Sequence, residues 1–343
     1  MSAITLYSRT NKMSNFQANI AEAVKRELRD PRFQSSLAAN YPALGGRVFF
    51  VLKTAATNYT QFVEDHPDYR SGDGVVTVAA VYNTVDAARA ACTVAQGDVV
   101  YIMPGHTETV TATSIALSIA GVSYICLGHG LNKPTFTYGA AAATITVSGA
   151  NNKWVGGHFI GNFLDVAAAF TLAAAKDFRL EGATFIDNTA SLGFLSIVVT
   201  GATDNDADGL AVIGNHWDGL DVSPNAFISI LAAERRVRIE DNDVNMAATN
   251  DVGHFLTVAA KVMTDIRIKR NVCVVVGATG ATVGVFMTGS STTNTGVMSD
   301  NYCASLDATT ELFATAALGL AQFNNRYTGA LTAQGYLLPA VDA

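Results

Sequence analysis

Val237-Arg-Ile239-Glu-Asp-Asn242-Asp-Val244 and Ile266-Arg-Ile268-Lys-Arg-Asn271-Val-Cys273 are one phrase written twice: apolar-x-apolar-x-x-Asn-x-apolar. Leu210-Ala-Val212-Ile-Gly-Asn215-His-Trp217 is a third copy, and Phe178-Arg-Leu180-Glu-Gly-Ala183-Thr-Phe185 a fourth with Ala at the turn. Weaker copies end at Phe159, Cys303 and Tyr327. The turn positions are 157, 183, 215, 242, 271, 301 and 325, in steps of 26, 32, 27, 29, 30 and 24 residues.

Alternation puts the apolar pair of each phrase on one face of a strand. The x-x-Asn corner turns tightly, and Asn or Gly tolerates the left-handed backbone expected there. The next apolar residue opens a second inward-facing strand. Strand-like segments complete a third side: Ala140–Ser148, Ser191–Thr200, Phe227–Leu231, Phe255–Ala259 and Val283–Thr288. A period of this length built from short strands signals a solenoid. The leucine-dense consensus of the leucine-rich rival is missing, and strand-like connections argue against a βαβ array. The fold class is therefore mainly β, a right-handed parallel β-helix occupying 106–330. Asn215, Asn242, Asn271, Asn301 and Asn325 are expected to stack as a hydrogen-bonded ladder, and Cys273 and Cys303 to stack in neighbouring coils.

Upstream, residues 47–105 read as an α/β lead-in and cap. Strands are expected at Arg47–Lys53, Val75–Val81 and Gly97–Met103, with a short helix at Asn58–Asp65. A second helix, Thr84–Cys92, is capped by Thr84 and has Val85, Ala88 and Cys92 on its apolar side. Residues 1–46 read as an arm. Phe16, Ile20, Val24 and Leu28 recur every four residues along one helical face. Ser14 with Gln17 fits a capping box, and Asp30-Pro31 ends the helix. Residues 331–343 form a tail.

The chain has 343 residues, 49% of them hydrophobic and 15% charged, against roughly 25% charged in ordinary soluble domains. Mean hydropathy is +0.24, yet no apolar run approaches the roughly 18 residues of a membrane span. A chain with so few charges either hides part of its surface against other subunits or carries a Thr-, Ser- and Ala-rich exterior. Net charge is −7 and uneven: residues 1–50 carry +4 and the remainder −11. A basic end on an acidic body suggests a docking arm, with Phe16, Ile20, Val24, Lys25, Arg26, Leu28, Arg29 and Arg32 as its partner-binding residues. Nucleic acid and membrane are not expected partners. Four scattered cysteines without a CxxC pair argue against zinc and against a disulfide framework.

The chemistry-bearing motifs are sparse. Asp204-Asn-Asp206-Ala-Asp208-Gly209 looks like the start of a calcium loop, but the twelfth position, where an EF-hand needs Glu, is Asn215. It is kept as a weak metal candidate beside the plainer reading of a solvated loop. Asp218 with Asp221, and Asp241 with Asp243, are carboxylate pairs of the kind glycosidases use, but acids at exposed corners are ordinary. The histidines show no metal-ligand spacing, and Trp154 and Trp217 sit at inward positions. No catalytic set, cofactor or firm metal site is expected.

Two phrases carry a family resemblance: Gly97-Asp-Val-Val-Tyr-Ile-Met-Pro104-Gly105-His-Thr-Glu108 and Gly121-Val-Ser-Tyr-Ile-Cys-Leu-Gly128-His-Gly130-Leu-Asn-Lys-Pro134. They resemble the opening coils of pectate-lyase-like β-helices. Residues 75–330 resemble the parallel β-helix proteins of tailed-phage virions. The resemblance implies a homotrimeric structural protein of the virion, made in the host cytoplasm. It would decorate the phage head and bind the major capsid protein or another virion protein. The alternative it leaves open is a tailspike- or fibre-like protein that binds or cleaves host surface polysaccharide.

Overall fold

The computed structural model describes residues 46–53, 81–112, 114–220, 224–247, 253–259, 261–275, 286–288, 293–305, 319–328 and 334–336. The chain divides into two units, Met1–Gly46 and Arg47–Ala343. The expected arm helix, the short helix at Asn58–Asp65 and all but the last residue of the strand Val75–Val81 lie outside the described residues. The second unit is a parallel β-solenoid of about seven turns, made of three sheets of eleven, ten and seven strands, here A, B and C. From Val99 to Thr288 each turn of the solenoid contributes one strand to each sheet. The turn through Arg179–Glu181 (A), Thr184–Asp187 (B) and Ser196–Thr200 (C) is typical. Among the described strands all pairings are parallel except the last of sheet B, Arg326–Thr328 with Gln334–Tyr336.

The repeat phrase maps onto the join between sheets A and B. Its apolar pair flanks or sits in an A strand, the turn position is the corner, and the final apolar residue points inward from B. Thus Ile239 and Ile268 are register partners in A, and Val244 and Cys273 in B. The third-side segments supply Ile145–Val147, Ser196–Thr200, Ala226–Ile230, His254–Val258 and Met287–Thr288 to sheet C. The helix Val85–Ala91 forms as expected. The Thr84 hydroxyl accepts from the Ala87 N–H, and Val85 and Ala88 are buried. Strands Val48–Val51 and Val99–Ile102 pair beside it in sheet A.

Inward residues of successive turns stack on like neighbours. Phe136, Phe159 and Phe185 are register partners with ring centroids 5.2 and 4.9 Å apart, and Trp217 continues the column. Cys273 lies against Cys303, both buried and both free thiols. Each such aromatic contributes about 1.5–3 kcal/mol by leaving water. That gain is repeated at every turn, so the stack holds the coil spacing constant while loop length varies.

The corner differs in one respect from the sequence expectation. The left-handed residue is not the Asn but the residue before it. Gly182, Gly214, Asp241, Arg270, Asp300 and Asn324 have φ between 54° and 64°. Asn215, Asn242, Asn271, Asn301 and Asn325 are not among the positive-φ residues. Their requirement is for hydrogen bonding, not for backbone freedom.

Candidate functional site

The Asn column is a buried rail. Asn242 Oδ1 accepts from the Asn215 backbone N–H and from its Nδ2, both at 3.0 Å. Asn242 Nδ2 in turn donates to the Val212 carbonyl at 2.9 Å and to Asn271 Oδ1 at 2.9 Å. The pattern repeats through Asn271 and Asn301 to Asn325. An amide has two donors and two acceptor lone pairs, and each interior rung uses all four. The corner between sheets C and A is patched with mixed acceptors instead. Asn152 accepts from Val122 N–H at 2.9 Å, Glu234 from Ala207 N–H at 3.0 Å and Asn294 from Met263 N–H at 2.8 Å. Asp98, fully buried, takes the N–H groups of Arg47 and Thr93 at 2.6 Å each.

The outer faces are where a partner could meet the coil. On sheet C the outward column runs Ala116, Thr146, Thr171, Val199, Ser229, Thr257, Thr288 in continuous register. It holds no charged residue. Its hydroxyls find hydroxyl partners: Thr257 Oγ1 donates to Ser229 Oγ at 3.0 Å within the column, and Thr171 lies 2.9 Å from the hydroxyl of Thr144 beside it. On sheet A the equivalent column runs Lys153, Arg179, Ala211, Arg238, Arg267. Beside it stand Glu181, Glu240 and Lys269. Lys153 and Arg179 both bond Glu181. Burial raises the Glu181 carboxyl pKa, but these two cations outweigh it and hold the group below its usual value.

The residues singled out for chemistry are dispersed among structural tasks. Asp204 Oδ1 accepts from Ala233 N–H at 3.0 Å and lies 3.4 Å from Lys261 Nζ; Asp208 Oδ1 accepts from Arg235 N–H at 2.8 Å. The described residues hold no group of three or more acids, histidines or cysteines able to grip a metal ion. Asp241 and Asp243 flank Asn242 but face different partners. Asp241 forms a two-point pair with Arg270 at 2.7 and 2.8 Å, which lowers its pKa. Asp243 lies 3.3 Å from His216 Nδ1, whose other ring nitrogen is 3.0 Å from Asp218. Asp221 lies outside the described residues, as do Phe16, Ile20, Val24, Lys25, Arg26, Leu28, Arg29 and Arg32 of the arm. Trp154 and Trp217 are fully buried core residues.

Glu234 was not singled out by sequence. It is fully buried, and its Oε1 lacks a hydrogen-bond partner among the described residues. Burial, with Asp208 and Asp206 nearby, pushes its pKa up to about 7 against the pull of the Ala207 N–H. No motif surrounds it, so only its place in the fold reveals it. Comparison with protein families, with curated proteins and with solved structures finds no match to this chain.

Proposed function

We propose that this chain is a structural protein whose solenoid self-associates through the outer face of sheet C. In this reading it is a homotrimeric, right-handed β-helix that decorates a phage head, and residues 1–46 grip the capsid. The observation that carries it is the sheet C column, seven successive turns without a charge. Such a face costs little to dehydrate, whereas covering the sheet A face would bury paired charges at a desolvation cost. Closed symmetry lets copies bury this face without leaving a growing edge. The phage context is supported by the resemblance of residues 97–108 and 121–134 to opening coils of virion β-helices, and by the basic character of residues 1–50.

The test is cosedimentation with phage heads that lack the protein. The full chain should pellet with the particles. A chain beginning at Arg47, the start of the second unit, should stay in the supernatant as a soluble oligomer. Binding of the full chain should weaken as salt rises, because exposed charges more than about 8 Å apart are screened at physiological ionic strength. Full particle binding without residues 1–46 would remove the arm from the proposal. Release of oligosaccharide from host capsule or lipopolysaccharide by the purified chain would replace the decoration reading with the spike.

A further inference from the structure

Over the five turns from Lys153 to Arg267 the outward column of sheet A is cationic except at one rung. Arg179 and Arg238 stand on either side of Ala211. Adjacent strands lie about 4.8 Å apart, so the two arginines are separated by roughly 10 Å with only a methyl group between them. A cavity of about 360 Å³ opens there, lined by Arg179, Ala211, Arg238, Arg236, Arg267 and Gly209 together with the ion-pair partners Asp177 and Asp265. Ala211 points outward from its strand yet is 6% exposed. The flanking arginine stems cover it, as long cationic side chains do over apolar surface, and Ala211 is therefore the floor of a pit.

One end of the pit is shaped by a glycine. Arg236 Nη2 lies 3.5 Å from Asp177 Oδ1, and the pair passes directly over Gly209. A Cβ on Gly209 would stand 2.1 Å from Asp177 Oδ1, and φ there is +79°. Only glycine keeps both this backbone and this ion pair.

Each of the four guanidinium groups already has one carboxylate: Glu181 for Arg179, Glu240 for Arg238 at 2.9 Å, Asp265 for Arg267 at 3.3 Å, and Asp177 for Arg236. Those contacts are made by Nε and Nη2. The Nη1 groups make no hydrogen bond with the described residues. A guanidinium carries five N–H donors, so four such groups around one pit leave a ring of spare donors. The side chains are 41–59% exposed, so the pit is open to solutes.

We infer that the arginine-walled pit over Ala211 binds a phosphate group, as the free ion or as a monoester. Planar guanidinium forks match phosphate oxygens two at a time and are less tightly hydrated than ammonium groups. A tetrahedral oxyanion presents three or four oxygens to donors on several sides of the pit. A carboxylate presents two, in one plane, and leaves half the wall unengaged. The site lies on sheet A and is independent of assembly through sheet C.

Titration calorimetry of the full chain in chloride buffer tests this, with inorganic phosphate, glycerol 3-phosphate and acetate as separate titrants. Saturable binding of inorganic phosphate or of the monoester is expected, and which of the two binds more tightly identifies the source. Arg238→Gln should weaken binding at least tenfold. Ala211→Leu, which fills the pit and leaves every charge in place, should do the same. Lys269→Gln, on the same sheet face but outside the pit, should bind as the parent does, and melting curves should show each variant folded. Absence of saturable phosphate binding, acetate binding as tight as phosphate, or unchanged binding in Ala211→Leu would overturn the inference.

Discussion

Sheets A and C are wound from the same turns around the same core, and their outer faces have opposite character. Sheet A presents Lys153, Arg179, Arg238 and Arg267 in register, answered by Glu181 and Glu240. Sheet C presents Ala, Thr, Val and Ser, tied by hydroxyl-to-hydroxyl bonds. The core dictates the inward residues of both sheets, because stacking on the turn above and below requires an apolar match. It dictates nothing outside. A difference between outer faces therefore reports what each face meets: in our reading, water and small solutes on A and another copy on C.

The most disruptive way to break this comparison is to make sheet C resemble sheet A. Thr171→Lys with Thr257→Lys places two charges on the uncharged column. If another copy covers it, each unpaired buried charge costs several kcal/mol, and light scattering should show monomers. Replacing Glu181 and Lys269 on sheet A by Thr should leave the assembled mass unchanged.

The corner shared by A and B is next in size. Asn242→Leu strands the Asn215 N–H and the Val212 carbonyl in a buried corner. Each orphaned group costs about 1–3 kcal/mol, so a loss of roughly 3–5 kcal/mol is expected in denaturant unfolding. Asp241→Gly should be far milder, since φ at 241 is +58° and glycine adopts it freely. A reversed order would return the backbone requirement to the Asn.

A smaller, pH-dependent effect is expected between sheets C and A. Glu234 holds its proton to about pH 7 in the folded chain, against an ordinary value of 4.5. Between those values unfolding releases a proton, so stability is full below about pH 4.5 and declines as pH rises through 7. Glu234→Gln keeps an oxygen for the Ala207 N–H and removes the titration. It should raise stability by roughly 1–3 kcal/mol at pH 8 and change little at pH 4, read as melting temperature at each pH. Least of all, Asp265→Asn on the exposed side of sheet A should cost under about 1 kcal/mol, as exposed ion pairs do.

The solenoid was legible in the sequence because its core writes the same residues at each turn. Five asparagines at one phrase position, and Phe159, Phe185 and Trp217 at another, mark corner and inward strand without a family to consult. The left-handed residue was misassigned because the position before the Asn holds Gly, Asp, Arg or Asn, a mixture that betrays no shared conformation. The contrast between faces was harder to read. Arg179, Arg238 and Arg267 fill the "x" of apolar-x-apolar and line up only once the register of sheet A is known. The sheet C column lies in segments whose spacing varies with loop length, so its lack of charge appears only when seven strands are set side by side. Glu234 occupies a corner patched differently at each turn, and no periodicity points to it.

The central claim, that sheet C is a face between copies, is most directly tested by sedimentation equilibrium of the full chain at neutral pH. The account predicts a single species of three times the 36.0 kDa chain mass, unchanged by moderate salt because the buried face carries no charge. A stable species of 36.0 kDa across the same concentrations would contradict it.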